Sequence, residues 1–196
     1  MSDITILDLG YGNTRSVALA FERLGATCAL TAEPAAAASA RHLVLPGVGA
    51  AGVAMRRLSE ADLIPVLHAR SAPTLGICLG MQLLFDRSDE DGGTDLLELL
   101  TGNVEALVPA PGFPVPHMGW SKLEGVVEGM GLAASDYVYF AHGFACPDTE
   151  FTAARTRYGN ATIPSAVRKD NLWGAQFHPE RSSAAGASFL RAFLES

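Results

Sequence analysis

The sequence predicts an α/β fold in which a mixed, mainly parallel sheet is flanked by helices in three layers, with antiparallel additions in the second half. Two observations lead to this prediction. In the first half, apolar runs that suit strands buried on both faces alternate with helical patterns. In the second half, short strand patterns follow one another across turns rich in Gly and Pro. The 196 residues, 48% of them hydrophobic, suit one domain with a sizeable core, which we expect to span 1–196.

The first half carries the alternation of strands and helices. Its pattern first predicts a strand at 4–9, a turn at 10–13 and a helix capped by Asn13 or Thr14 and stopped by Gly25. A strand at 27–31, a brief surface element at 35–38, a strand at 41–45 and a turn at 46–49 follow. The pattern then predicts helices at about 51–58 and 61–70, a strand at 74–77 and a helix from 79 to 85. The acidic segment 88–95 contains glycines and is predicted to be a loop.

The second half changes character. Strands are predicted at 104–108, 115–118, 126–128, 137–142, 151–155 and 173–177. A last helix begins at Ser182 or Ser183 and buries Phe189, Leu190 and Phe193. We find no internal repeat and no linker in the sequence.

Composition excludes several classes of protein. The net charge of −7 and the lack of a basic stripe argue against a nucleic-acid partner. No apolar run approaches the ~20 residues that span a bilayer, and the N-terminus lacks the basic region of a signal peptide. Three widely spaced cysteines, Cys28, Cys78 and Cys146, form no disulfide framework and no metal motif, which indicates a reducing, cytoplasmic setting. We expect no metal and no cofactor.

The stretch 72–85 is the centre of the chemical argument. An apolar strand at 74–77 runs into the helix that begins at Leu79, and Cys78 lies at the junction between Gly76 and Gly80. A sharp strand-to-helix turn needs small residues on both sides, and it exposes the central side chain as a nucleophile. The helix N-terminus favours the negative charge of a thiolate. A lone cysteine is more often a packing residue, so this pattern needs a second motif.

The second motif is His178-Pro179-Glu180, about a hundred residues later. In an extended segment, side chains two residues apart point the same way, and Pro179 holds such a segment extended. Glu180 is then placed to orient the His178 ring, and His178 to face Cys78. A nucleophile, a base and an orienting carboxylate are the parts needed for covalent acyl transfer. Alone, the motif would be a turn about as often as a catalytic group.

The catalytic hypothesis also requires donors for an oxyanion. An attacking thiolate builds an oxyanion, which requires N–H donors. The N–H of Leu79 is one, and the flexible turn at Gly47-Val48 is expected to supply the second, although the same residues also suit an ordinary turn. His117 and His142 lie near strand ends and receive no role from the sequence.

Six motifs together carry a resemblance that runs from residue 6 to 186. They are Gly-Tyr-Gly-Asn-Thr-Arg-Ser-Val at 10–17, Leu-Pro-Gly-Val-Gly-Ala at 45–50, Gly-Ile-Cys-Leu-Gly-Met-Gln at 76–82, Pro-His-Met-Gly-Trp at 116–120, Tyr-Phe-Ala-His at 139–142 and Gln-Phe-His-Pro-Glu-Arg-Ser at 176–182. The combination resembles the class I (triad) glutamine amidotransferases. Within them it is most similar to the glutaminase subunits of imidazole glycerol phosphate synthase.

The resemblance implies a fold, a reaction and a partner. The fold is a mixed sheet flanked by helices. In the reaction, Cys78 attacks the side-chain amide of L-glutamine, ammonia leaves, and water hydrolyses the thioester to glutamate. The partner is a (β/α)8-barrel cyclase subunit, bound as a heterodimer. It uses the channelled ammonia to make imidazole glycerol phosphate and a purine precursor, AICAR, in histidine biosynthesis. A shared tunnel is required because free ammonia would be protonated in water.

The resemblance also assigns residues by motif position. Gly49, Gln82, Glu90, Gly143 and Phe144 are expected to hold the substrate glutamine, with the Glu90 carboxylate on its ammonium group; the acidic loop around Glu90 equally suits a solvated surface. Asn13, Met118, Trp120, Tyr139 and Arg181 are expected to face the barrel.

The sequence departs from the family pattern in four ways, at five positions. The family has Tyr where Leu9 stands and Asn where Ser121 stands. Gly143 and Phe144 replace a hydroxyl residue and Tyr, which removes two hydroxyls near the expected glutamine site. Contacts there are then made by the backbone or are absent. Arg181 replaces Lys and so presents a planar fork of donors in place of a point charge.

Three alternatives remain open at this point. The chain could be the glutaminase of another synthase, such as that of anthranilate or of pyridoxal phosphate, although the motifs at 10–17 and 116–120 speak against it. It could be an unrelated cysteine hydrolase with a nucleophile elbow, of the DJ-1 type or a cysteine variant of the α/β-hydrolases. It could also be a binding or regulatory subunit that kept the fold and lost turnover.

Overall fold

The structure, a computed structural model, describes residues 2–10 and 12–196. Its strands are β1 (Ile4–Leu7), β2 (Cys28–Thr31), β3 (His42–Gly47), β4 (Thr74–Cys78), β5 (Arg87–Ser88), β6 (Thr94–Asp95), β7 (Asn103–Ala106), β8 (His117–Lys122), β9 (Tyr137–His142), β10 (Phe144–Ala145), β11 (Thr152–Tyr158), β12 (Ala161–Lys169) and β13 (Leu172–Ala175). Its helices are α1 (Thr14–Glu22), α2 (Pro34–Ser39), α3 (Ala51–Glu60), α4 (Ile64–Ala69), α5 (Leu79–Gln82) and α6 (Ser183–Leu194), with 3-10 turns at Glu90–Gly92 and Pro179–Arg181.

A seven-stranded sheet forms the middle layer, in the order β11-β12-β13-β4-β3-β1-β2. The five strands from β13 to β2 are parallel, and β12 and β11 add to them antiparallel. Along the central strands, Gly47 pairs with Cys78 and Ile77 with Ala175. The carboxyl ends of β3, β4 and β13 therefore meet at one edge of the sheet, where ligands bind in open α/β folds. The predicted fold class is confirmed.

Two hydrophobic clusters lie on opposite faces of this sheet. Alternating residues of β3 separate between them: Leu43 and Leu45 belong to the cluster with α3, α4 and α5, whereas Val44 belongs to the cluster with α1 and α6. This alternation follows from the two-residue period of a strand. Phe189, Leu190 and Phe193 of α6 are buried as predicted.

Smaller sheets lie beside the main one. One has the order β10-β7-β5-β6, and the other is the antiparallel pair β8–β9. Short strands and a 3-10 turn thus occupy 88–95, where the sequence predicted a loop. None of the helices in the described chain is long and apolar enough to cross a membrane.

The longest strand, β12, was missed by the sequence analysis. Pro164 weakened its strand pattern, because proline cannot donate to a ladder. In the structure, β13 pairs with β12 only from Ala166 onward, so Pro164 pairs with β11 alone and needs no donor on its other side. The predicted strand at 126–128 is wrong: Val127 makes one backbone hydrogen bond to Ala153, without a ladder.

Element ends also differ from the prediction in several places. Strand β3 continues through Pro46 to Gly47, since its pairing with β4 persists where a turn was predicted. Helix α5 ends at Gln82, helix α4 begins at Ile64, and β8 runs over His117–Lys122 in place of 115–118. Asn13 caps α1 as expected, with its Oδ1 accepting from the N–H of Ser16. Within the predicted turn at 10–13, Tyr11 lies outside the described residues.

The junction of β4 and α5 depends on glycine. A Cβ on Gly80 would run into the carbonyl oxygen of Leu45, and a Cβ on Gly76 would run into that of Gly80. A Cβ on Gly47 would lie 2.8 Å from the Gly80 nitrogen. The small residues required by the sequence argument are therefore present because helix α5 rests directly on the backbones of β3 and β4.

We predict that Gly80→Ala lowers the free energy of unfolding by about 3 kcal/mol or more, because the added methyl group meets backbone that cannot move aside. The measurement is denaturant unfolding followed by circular dichroism. Gly52→Ala is the matched control. Gly52 lies on helix α3, and a Cβ there would meet only the Thr94 hydroxyl, at 3.5 Å. That variant should be neutral or more stable by up to about 1 kcal/mol. Equal stabilities of the two variants would contradict the steric argument.

Candidate active site

Cys78 lies at the turn between β4 and α5, as the sequence predicted. Its backbone has φ 53° and ψ −109°, a conformation that is rare for a residue with a side chain and that recurs at functional sites. The residue is 6% exposed. Cys78 packs with the hydrophobic cluster of α1 and α6, and it also lines a cavity at the carboxyl edge of the sheet.

His178 and Glu180 follow β13 at the same edge. The Nδ1 atom of His178 lies 2.8 Å from Oε1 of Glu180, whose side chain is only 2% exposed. His178 itself is extended, and its N–H donates to the carbonyl of Tyr139 on β9. The chain then turns into the 3-10 helix Pro179–Arg181 rather than remaining extended as predicted. The pairing of the two side chains agrees with the prediction even so.

Charge interactions raise the pKa of His178. Burial alone would lower this pKa, but the interactions with Cys78 and with the Glu180 carboxylate outweigh burial and raise it from 6.5 to about 10. An imidazole with this pKa stays protonated near neutral pH, provided that both partners are intact. It can then pair with a thiolate on one side and a carboxylate on the other.

We predict that Glu180→Gln lowers the pKa of His178, since the variant loses the negative charge and keeps the shape. The measurement is an NMR titration of the ring carbon of His178. Cys78→Ser should also lower this pKa. An unchanged titration midpoint of His178 in both variants would contradict the assignment of the cause.

This pKa shift also has a consequence for stability. Because the folded-state value lies above 6.5, protonation of His178 stabilises the fold fully below pH 6.5, and that contribution is lost as the pH rises through about 10. The difference in free energy of unfolding between the wild type and Glu180→Gln should therefore shrink as the pH rises from 6.5 to about 10.

The Cys78 sulfur has further polar neighbours that the sequence analysis missed. Its Sγ atom lies 3.9 Å from the carbonyl oxygen of Ala141, and Nε2 of Gln176 lies 3.8 Å from Sγ. Gln176 precedes His178 by two residues, so both side chains leave the strand end in the same direction. That spacing was available in the sequence and could have identified Gln176.

A cavity of about 210 Å³ opens beside Cys78. Its lining contains Val48, Gly49, Cys78, Leu79, Gln82, Glu90, Ala141, His142, Gly143 and Phe144. All residues that the resemblance assigned to glutamine are thereby brought together. Gly47 lies outside this lining and borders a smaller space with His178 and Glu180. The volume is below the ~300–1,000 Å³ of sites for drug-sized ligands and suits a small substrate.

Two polar side chains of the cavity are held firmly by the protein. Glu90 accepts the N–H of Ala51 through Oε2 at 2.6 Å, at the beginning of helix α3. Gln82 donates from Nε2 to the carbonyl of Phe144 at 2.9 Å and to Oε1 of Gln176 at 3.0 Å. Both hydrogens of this amide are thus used within the protein, which leaves the Gln82 Oε1 as its remaining polar atom.

Four of the five residues expected at a partner interface lie on the β8–β9 pair and the adjoining 3-10 turn, and the fifth, Asn13, lies at the start of α1. Met118 is 64% exposed and Trp120 is 50% exposed. Trp120 packs edge-on against Tyr139, and the Arg181 guanidinium lies 4.6 Å from the centre of the Tyr139 ring. Asn13 is exposed at the start of α1. Exposed aromatic side chains beside an arginine are typical of an interface.

No group of three His, Cys, Asp or Glu side chains within 2–10 and 12–196 is arranged to hold a metal ion. The arrangement at the sheet edge combines a strained cysteine, a charged imidazole, a buried carboxylate and a small polar cavity. These are the components of covalent acyl transfer by a cysteine nucleophile.

Comparison with known proteins agrees with this chemistry. The family model described as "Glutamine amidotransferase class-I" matches residues 5–196. Among solved structures, a crystal structure described as a glutamine amidotransferase superposes with a TM-score of 0.77 at 22% identity, covering 98% of this chain and 97% of the other. The structure of PurLQS from Thermotoga maritima gives a TM-score of 0.69 at 18% identity, with 98% and 97% covered. The chain belongs to the class-I glutamine amidotransferases.

Closer relatives narrow this assignment within the family. The chain is 43% identical over 196 residues to the imidazole glycerol phosphate synthase subunit HisH of Yersinia pseudotuberculosis, covering 98% of this chain and 99% of the relative. It is 44% identical over 196 residues to the subunit of the same name from Salmonella typhimurium, with the same coverage. It is thus a class-I amidotransferase of the HisH group.

Proposed function

We propose that this protein is the glutaminase subunit of an imidazole glycerol phosphate synthase. It hydrolyses L-glutamine to glutamate and passes the ammonia to a (β/α)8-barrel cyclase subunit, which makes imidazole glycerol phosphate and AICAR in histidine biosynthesis. The observation that carries the proposal is the strained Cys78 beside the His178–Glu180 pair, in a chain 43% identical to HisH over nearly its whole length.

The Cys78 thiolate attacks the side-chain amide carbon of glutamine and forms a tetrahedral oxyanion. The N–H groups of Leu79 and Val48 receive this oxyanion, with Gly47 allowing the Val48 peptide to turn. Protonated His178 gives its proton to the departing ammonia and leaves a thioester. A water molecule then loses a proton to His178, attacks the thioester and releases glutamate.

Glutamine is held in the cavity beside Cys78. Glu90 pairs with the ammonium group of the substrate, and Gly49, Gln82, Gly143 and Phe144 form the other walls. One oxygen of Glu90 is fixed by the Ala51 N–H, which supports this role because a fixed carboxylate is a better partner than a mobile one.

The surface formed by Asn13, Met118, Trp120, Tyr139 and Arg181 binds the cyclase barrel. Cys78 opens at the same end of the sheet, so ammonia released there reaches the partner without crossing bulk water. The domain spans 1–196, in keeping with the family match over 5–196. Three unpaired cysteines support a reducing, cytoplasmic setting.

The test is glutamate release from glutamine by the purified chain, alone and with the cyclase barrel and its nucleotide ligand. We expect weak release by the isolated chain and strong stimulation by the partner. The second oxyanion donor, the Val48 N–H, lies where β3 ends at Gly47, and we expect the partner to turn this peptide toward the oxyanion. Full turnover without any barrel would contradict this dependence, and no turnover in any mixture would contradict the proposed function.

In the same assay, Cys78→Ala should abolish glutamine-dependent synthesis by the complex and leave ammonia-dependent synthesis intact. The reason is that added ammonia bypasses the thioester. Cys28→Ala is a matched control, because Cys28 lies on β2 away from the site, and both activities should persist in it. Loss of both activities in Cys78→Ala would mean that Cys78 is structural.

Glu90→Gln should raise the KM for glutamine by about 10- to 100-fold, the cost of one hydrogen bond to a charged group. The amide still offers an oxygen to the Ala51 N–H, so the variant isolates the charge. Asp91→Asn removes a charge from the neighbouring, exposed residue and should leave KM unchanged. Equal KM values for both variants would remove Glu90 from the binding site.

A further inference from the structure

A buried chain of hydrogen bonds begins on the inner face of β8. The Ser121 hydroxyl lies 2.9 Å from Nε2 of His117, and Nδ1 of His117 lies 3.2 Å from Nε2 of His142. Nδ1 of His142 lies 2.7 Å from the carbonyl oxygen of Phe144. Four residues of a straight strand span about 13 Å, so the first of these bonds requires the bend at Gly119, whose φ is +137°.

The Phe144 carbonyl determines which atom donates and which accepts in every hydrogen bond of this chain. The Phe144 carbonyl can only accept, so Nδ1 of His142 carries its proton. Burial lowers the pKa of both His117 and His142 to about 4, so each ring is uncharged near neutral pH and has one N–H. His142 Nε2 therefore accepts from Nδ1 of His117, and His117 Nε2 accepts from the Ser121 hydroxyl.

The hydrogen-bond chain continues to the Cys78 sulfur through the side-chain amides of Gln82 and Gln176. Because the Phe144 carbonyl accepts, Gln82 must turn its Nε2 toward it, and the second hydrogen of that amide donates to Oε1 of Gln176. This contact turns Nε2 of Gln176 toward the Cys78 sulfur. A rotated Gln176 amide would place an oxygen against the sulfur and repel a thiolate.

We propose that Ser121, His117 and His142 are positioning residues for glutamine hydrolysis: they hold the Phe144 carbonyl, which sets the orientation of Gln82 and Gln176 so that a donor faces Cys78. None of the three touches the reacting atoms in this role. The inference rests on the proposed function and adds residues to that site which the sequence analysis left without a role.

Packing around His117 allows a sharp test. The ring is stacked between Phe140, at 4.6 Å between ring centres, and Tyr158, at 3.9 Å. His117→Phe keeps an aromatic ring in this stack and removes both nitrogens. His117→Asn gives up stacking but keeps an amide N–H near the position of Nδ1. The two variants thereby separate packing from hydrogen bonding.

The experiment uses the complex with the cyclase barrel. We expect His117→Phe to lower kcat/KM for glutamine by about ten-fold, the effect expected when the hydrogen-bond chain is broken at one place. Ammonia-dependent synthesis should be unchanged. His117→Asn should recover part of that loss. His42→Phe is the matched control: His42 is also buried and packs against Phe193, but it lies at the opposite end of β3 from the site. It should keep the wild-type kcat/KM.

A second measurement needs no turnover. The ring-nitrogen NMR shifts of His142 should report protonation at Nδ1, the nitrogen that lies 2.7 Å from the Phe144 carbonyl oxygen. Protonation at Nε2 in the wild type would overturn the proposal. So would wild-type kcat/KM in a folded His117→Phe variant. Wild-type kcat/KM in His117→Phe together with a loss in His117→Asn and a lowered Tm of that variant would mean that His117 serves packing alone.

Failure of the proposed function gives a different result. If the wild-type complex releases no glutamate, the assignment as a glutaminase is wrong, whereas the tautomer of His142 still decides whether the hydrogen-bond chain is present.

Discussion

The direct contact of helix α5 with the backbones of β3 and β4 is the constraint on which the rest of the site depends. The absence of side chains at Gly47, Gly76 and Gly80 makes this contact possible, because a Cβ on any of them would meet neighbouring backbone. The close approach forces a sharp turn, and Cys78 takes the strain of that turn as a positive φ. The packing of the buried helix α5 offsets the strain at Cys78. The same packing holds the Cys78 sulfur at the edge of the sheet.

Electrostatics at this edge follow from burial combined with pairing. A buried histidine without an oppositely charged partner becomes neutral, as His117 and His142 do, whereas His178 gains charge because the interactions with Cys78 and Glu180 outweigh the cost of burial. Histidines of the same fold thus have opposite charge states. In the proposed function, the neutral rings of His117 and His142 orient hydrogen bonds through their donor and acceptor nitrogens, and the charged ring of His178 transfers protons.

Much of this arrangement could be predicted from the sequence, and the failures have physical causes. The elbow at Cys78 and the partner of His178 depend on local spacing, which a sequence displays. Strand β12 was missed because Pro164 is tolerated only where β13 has not yet joined β12, a fact of tertiary pairing. His117 and His142 received no role because their bond is made across strands, between residues 25 positions apart.

The departures at Gly143 and Phe144 take on meaning once the hydrogen bonds are traced. The carbonyl of Phe144 accepts from both Gln82 and His142, which uses both of its lone pairs, and that of Gly143 accepts from Leu107. The Phe144 carbonyl therefore has no lone pair left for a substrate, whereas the Gly143 carbonyl keeps one. In a strand, the N–H and C=O of one residue point to the same side, so the Phe144 N–H faces the same side as its carbonyl. In the proposed function, the Phe144 N–H is the donor that this edge offers to the carboxylate of glutamine, without the hydroxyl groups that the family pattern would supply.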